Sequence, residues 1–223
     1  MKKVFLYYLL LPSLLAIASC NSAAKTTNKL NPVNINQTKT SPFVVNREVI
    51  EFKNKAGTKA FSLKILVDKA KLINGNNKEI ARLSVDEKQK VKIKNSSDAI
   101  LGYIVYREDR WKIEDGKQQL YVLEKQADGD YKLENRQNKE IYRIKIRDYG
   151  YKIETPSKQS LYKVKLKDGK TSLRDKADKT VLYTKSSIVT IAFVCFGFDV
   201  LKPEQKAALA YSLNRALGRE NAN

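Results

Sequence analysis

The chain has 223 residues, 42% of them apolar and 30% charged, which suffices for one well-buried domain and leaves little room for a second. It carries 43 Lys and Arg against 24 Asp and Glu, a formal charge of +19, and no histidine, so the commonest general base and the commonest zinc ligand are excluded. Of its two cysteines one belongs to an N-terminal motif, which excludes an intramolecular disulfide and leaves Cys195 as a lone thiol.

Lys2 and Lys3 precede the apolar run VFLYYLLLPSLLAIA, which ends in small residues before Cys20. This pattern predicts a secretory signal peptide over residues 1–19. Ile17-Ala18-Ser19-Cys20 resembles the bacterial lipobox, a branched residue and two small ones before the cysteine that receives diacylglycerol. Cys20 is then the first mature residue, and acyl chains contributing about 0.8 kcal/mol per buried methylene hold it on a membrane of the cell envelope, inner or outer. An uncleaved anchor helix fits less well, because the apolar run of about 14 residues is shorter than the roughly 20 that spanning needs. Residues 20–44 read as a flexible tether, with Leu30, Val33 and Ile35 the only larger apolar residues between Asn21 and Ser41. Losing Lys2 and Lys3 lowers the charge from +19 to +17. Such a field favours anionic partners, and export points to lipid headgroups or phosphate-bearing envelope polymers rather than nucleic acid. The competing reading is a lysine-rich composition that only keeps a strand-rich domain soluble.

Residues 45–201 read as one strand-rich domain that ends in an apolar segment. VIEFK near 49, FSLKILVD from 61, KLI before Asn74-Gly75, EIARLSV from 79, VKIK from 91 and ILGYIVY from 100 each have strand composition. A repeat of 20 residues follows, with WKIE at 111, YKLE at 131, YKIE at 151 and TSLR at 171. Between these lie Leu120-Tyr121, Ile141-Tyr142, Leu161-Tyr162 and Leu182-Tyr183, so each unit has the length of one hairpin. Alternation supports this: Tyr142, Ile144 and Ile146 take one face, and Arg143, Lys145 and Arg147 the other. Asp115-Gly116, Asp128-Gly129 and Asp168-Gly169 mark turns. About 12 to 14 strands result, and a sheet that large closes or splits into two layers.

The segment Ile188–Leu201, IVTIAFVCFGFDVL, is the most apolar of the mature chain and has three readings. It is short for a membrane span and contains Asp199. A strand suits its β-branched and aromatic residues, yet it does not alternate. A helix apolar on all sides is stable only inside protein, and a closed sheet of a dozen strands leaves a lumen to hold one. The helix is the preferred reading, with Cys195 as an inert filler. Residues 202–223 read as an amphipathic surface helix and tail, with Pro203 and Glu204 in the first turn and Leu209, Leu213, Ala216 and Leu217 on one face.

This order of parts, tyrosine-rich hairpins followed by a wholly apolar helix, resembles the tubby-like superfamily, which includes the tubby C-terminal domain, the LURP-one-related proteins and the phospholipid scramblases. The resemblance implies a mainly β fold: a closed antiparallel barrel of about twelve strands around a central hydrophobic helix, over about residues 45–201. Tubby binds phosphoinositides through basic residues, but no matching motif occurs here and no binding residue carries over.

For chemistry the sequence offers little. There is no nucleophile elbow, phosphate-cradling glycine loop or calcium loop, and no metal or cofactor is implied. Glu114, Glu134 and Glu154 recur at 20 residues, each two positions after a lysine, and read as cross-strand charge partners on an outer face, with a carboxylate-based hydrolase as the remote alternative. Tyr121, Tyr131, Tyr142, Tyr151 and Tyr162 fall on the inward phase. Three outward cationic rows are the candidate anion-binding residues: Lys90, Lys92 and Lys94; Arg143, Lys145 and Arg147; Lys163, Lys165 and Lys167. Lysine that merely blocks edge pairing accounts for the same rows. The functional expectation is a lipid-anchored, non-catalytic binding or scaffold module. An open array of hairpins that binds cell-wall polymer is the alternative.

Overall fold

The computed structural model describes residues 48–220 apart from Lys117, so the signal peptide, Cys20 and the tether lie outside the described residues. Fourteen antiparallel strands follow one another around a closed barrel: β1 (Glu48–Asn54), β2 (Lys59–Leu66), β3 (Lys69–Asn74), β4 (Glu79–Val85), β5 (Val91–Lys94), β6 (Ile100–Arg107), β7 (Arg110–Asp115), β8 (Gln118–Lys125), β9 (Tyr131–Asn135), β10 (Glu140–Arg147), β11 (Gly150–Glu154), β12 (Ser160–Lys167), β13 (Lys170–Arg174) and β14 (Thr180–Thr184). Each strand pairs with its neighbours in sequence, and β14 closes on β1. The 20-residue beat is thus one hairpin, with WKIE, YKLE, YKIE and TSLR on β7, β9, β11 and β13. Closure overturns the open array. It agrees with the barrel expected from the resemblance, with fourteen strands in place of about twelve.

The two rims differ. At the proximal rim, where β1 begins, the six hairpin registers run without interruption. At the distal rim all seven hairpins carry a register shift next to the turn. A bulge bends its strand and adds twist, which a sheet must do to curl into a cylinder. The turns there are also alike: Asn54, Asn74, Asn95, Asn135 and Asp175 each accept hydrogen bonds on Oδ1 from the amides two and four residues on. The fourth residue of each of these turns is left-handed: Gly57, Asn77, Asp98, Asn138 and Asp178. Short polar side chains satisfy the turn's own amides, which is why Asn and Asp punctuate the strands.

Fourteen strands leave more lumen than one helix fills, and two helical pieces share it. The chain passes from β14 into α1 (Thr190–Val194), a 3-10 turn (Cys195–Gly197), and then α2 (Pro203–Glu220). The expected continuous helix over Ile188–Leu201 is therefore two short turns, ended where Phe198 takes φ −89 and ψ 88. The expected surface position of the last helix is also corrected. Ala207, Ala208, Leu209, Ala210, Tyr211, Ser212 and Leu213 are all buried, so α2 is enclosed on every side over two turns. Its small alanines let it lie close to α1, and interaxial distance is set by such side chains. The two run in opposite directions: the Val189 amide donates to Asn214 Oδ1 at 2.9 Å, and Lys206 Nζ reaches Phe196 O at 3.4 Å. The first piece packs on β11 to β13 and α2 on β3 to β7, so the pair divides the lumen. Phe52, Phe61, Phe193 and Phe196 form an aromatic cluster with centroids 4.5 to 5.8 Å apart. At the proximal rim Arg215 of α2 donates to Val67 O and pairs with Asp68 at 3.1 Å. Among the described residues no helix is long and apolar enough to cross a membrane.

Candidate functional site

Strand alternation aims Tyr131 and Tyr142 into the core, with Tyr121, Tyr151 and Tyr162 packed partly buried against it. Tyr142 stacks on Phe198 at 5.6 Å, and Tyr162 donates to Asp199 Oδ2 at 3.1 Å. Burial pushes the phenols of Tyr142, Tyr151 and Tyr162 up, so they stay protonated. Cys195 is enclosed, and its thiol is pushed well up by burial, which leaves it a protonated filler.

The same alternation turns the three cationic rows outward, but most of their members meet carboxylates. Arg143 pairs with Glu140 at 3.0 Å and Lys145 with Asp130 at 2.5 Å. Lys163 and Lys165 share Asp178 at 3.8 and 3.0 Å. The registers Lys145↔Lys152 and Lys152↔Lys163 join these two rows across β11, and Lys152 itself pairs with Glu154 at 2.7 Å. The β10 to β12 face is therefore a ladder of ion pairs. Desolvation pulls the Asp130 carboxyl up, yet the Lys145 hydrogen bond and the Ile146 amide outweigh it and hold it low; the Lys165 hydrogen bond holds Asp178 low. In the first row Lys94 meets Asp98 at 3.5 Å. Of the nine, Lys92, Arg147 and Lys167 have no carboxylate partner among the described residues. Glu114, Glu134 and Glu154 all pair with lysines: Lys90 at 3.5 Å, Lys132 at 2.9 Å and Lys152 at 2.7 Å.

Lys90 leads to a different grouping. It lies over the Tyr103 ring at 3.9 Å and lines a hollow of about 660 Å³ on the outer face of β5 to β7, in the proximal half of the barrel. Lys88, Arg107, Arg110 and Lys112 line it too, against Asp86, Glu108 and Glu114. Arg107 and Arg110 stand directly opposite each other across the two-residue turn Glu108-Asp109, whose φ values of 48 and 59 are those of a tight hairpin. Inward-facing Tyr106 and Trp111, stacked at 4.6 Å, anchor the hairpin from inside. Neither arginine has a carboxylate within ion-pair distance among the described residues. Like charges opposite each other across a strand pair are destabilising, and two guanidinium forks there suit a phosphate. Lys88, Arg107, Arg110 and Lys112 were not among the sequence candidates. The signal was available in Arg107-Glu-Asp-Arg110, where a two-residue turn forces its flanking residues to face each other, but the mixed signs read as an ordinary solvated turn.

Among the described residues no cluster of three or more His, Cys, Asp or Glu is placed to hold a metal ion. No protein-family model matches the chain, and no curated protein is similar to it. A protein of Arabidopsis thaliana known from an X-ray structure is similar at 14% identity, over 66% of this chain and 86% of that chain, with a TM-score of 0.35.

Proposed function

We propose that the chain is a bacterial lipoprotein, exported and held in the cell envelope by acyl chains on Cys20, whose tubby-like barrel is a non-catalytic binding module for phosphate-bearing partners. The ligand is the phosphodiester of an anionic lipid headgroup or envelope polymer, taken by the hollow of β5 to β7. The observation that carries this reading is the facing pair Arg107 and Arg110, two guanidinium groups held opposite each other in one strand register beside the hollow, with no carboxylate within ion-pair distance among the described residues. Two further facts support it. The segment that would carry the anchor joins the barrel at Glu48, on the same rim as the Glu108-Asp109 turn, and the mature chain would retain a charge of +17 to steer anions.

The test uses the Cys20→Ala chain, which removes the acyl anchor. It is expected to sediment with vesicles containing anionic phospholipid, less so as salt rises, and to be displaced by a soluble polyphosphodiester. Each basic residue near an anionic surface contributes about 1 kcal/mol, so Arg107→Glu with Arg110→Glu should weaken binding by more than about tenfold. Arg143→Glu with Lys163→Glu, inside the ion-pair ladder, should matter less. Equal association with neutral vesicles, or a double arginine variant that binds like the parent, would sink the reading.

A further inference from the structure

The lumen is not filled evenly. Between the distal ends of β2, β4, β13 and β14 and the turn leading into α2, a groove of about 300 Å³ stays open, near the lower bound for ligand pockets. Phe61, Ile80, Leu182 and Phe196 form its wall, and Val181, 44% exposed, lies at its mouth. Lys206, on the first turns of α2, is the one charged side chain in this lining.

The environment of Lys206 is incomplete. Its side chain is 19% exposed, so most of its hydration is gone. Its Nζ donates to Phe196 O at 3.4 Å and stands 3.9 Å from Asp199 Oδ1. Both are long for an ammonium, whose charged hydrogen bonds close to about 2.7–2.9 Å. Desolvation lowers its pKa, with Asp199 pulling in the other direction. Asp199 is itself engaged elsewhere, by the Tyr162 hydroxyl at 3.1 Å, and is largely open to solvent. A half-buried cation with spare donors at the edge of a hydrocarbon-lined groove is the complement of one kind of molecule, a single alkyl chain that ends in an anion.

We propose that the distal groove binds one fatty acid, its carboxylate on Lys206 and its chain along Phe61, Ile80, Leu182 and Phe196. The groove's size argues for one tail rather than the two of a bilayer phospholipid. The site lies at the opposite rim from the arginine pair and does not depend on the reading given above.

Calorimetry of the full-length Cys20→Ala chain with dodecanoate and with dodecan-1-ol tests this, because the two share a tail and differ in charge. One dodecanoate should bind per chain, and the alcohol should bind roughly tenfold or more weakly, the worth of one charge-assisted hydrogen bond. Lys206→Met keeps the apolar stem and should bring dodecanoate down to the level of the alcohol. Asp199→Asn removes the competing carboxylate and should tighten dodecanoate. Ile80→Trp should block both ligands, with thermal melts confirming that each variant is folded. Arg107→Glu with Arg110→Glu should leave dodecanoate unchanged. Absence of saturable binding, a stoichiometry well above one, preference for intact phospholipid, or dodecanoate affinity indifferent to Lys206→Met would each overturn the proposal.

Discussion

Gly150 has φ +131, and a Cβ built on it would lie 2.5 Å from Val164 O on the neighbouring strand. The conflict is with backbone, which cannot swing aside. Gly116 has φ +59 with nothing within 4 Å of a Cβ, so only its left-handed conformation resists substitution. Gly150→Ala should therefore cost about 2–4 kcal/mol, combining strain with overpacking, and Gly116→Ala about 1 kcal/mol. Urea denaturation of the two variants checks the difference, and equal losses would show that the close strand approach at Gly150 has room to relax. Site legibility is also decided residue by residue. Arg143 and Lys163 could be recognised as outward from alternation, but not as neutralised, because Glu140, Asp178 and the register that brings them near depend on turns and bulges.

At the level of elements, the strands were legible throughout: period-two alternation and the 20-residue beat put VKIK, WKIE, YKLE and YKIE where β5, β7, β9 and β11 lie. A hairpin is local, and its side-chain pattern suffices to place it. The interior helices were only partly legible. The apolar character of Ile188–Leu201 points to the lumen, where the segment lies, while α2 reads from its sequence as a surface helix because alanine adds little to an apolar stripe. Its uncharged stretch Ala207–Leu213, in a chain where 30% of residues are charged, was the overlooked sign of burial. Ala208 lies off the Leu209, Leu213 and Leu217 stripe, so the two positions predict opposite outcomes for one substitution. Ala208→Glu places an unpaired carboxylate in the core and should cost about 3 kcal/mol or more, where a surface helix would tolerate it. The melting temperature of that variant distinguishes them.

For the whole molecule, the charge excess and the ion-pair ladder make stability depend on pH in a definite direction. Lys71 and Arg82 hold the Glu79 carboxyl low against a smaller opposing effect of burial, and Asp130 and Asp178 are low for the reasons given. Carboxyls whose folded pKa lies below the unfolded value contribute stability above the unfolded value, and that contribution disappears as pH falls through the folded one. The melting temperature should thus fall steeply below about pH 4, where carboxylates are protonated while the cations they neutralise remain. A flat profile between neutral and acid pH would mean that these pairs contribute nothing, as many exposed pairs do.

The cylinder closes through β1 and β14 by the pairs Lys53↔Tyr183 and Asn54↔Leu182, and both pieces that fill it come afterwards in the chain. During synthesis the wall is therefore completed before its contents exist. A nascent polypeptide that ends soon after Thr184 has a greasy inner lining and nothing to cover it. The helical pieces that follow Thr184 act as an internal stopper that arrives after the wall, so a chain cut between β14 and α1 is expected to expose that lining and to aggregate where the longer chain does not.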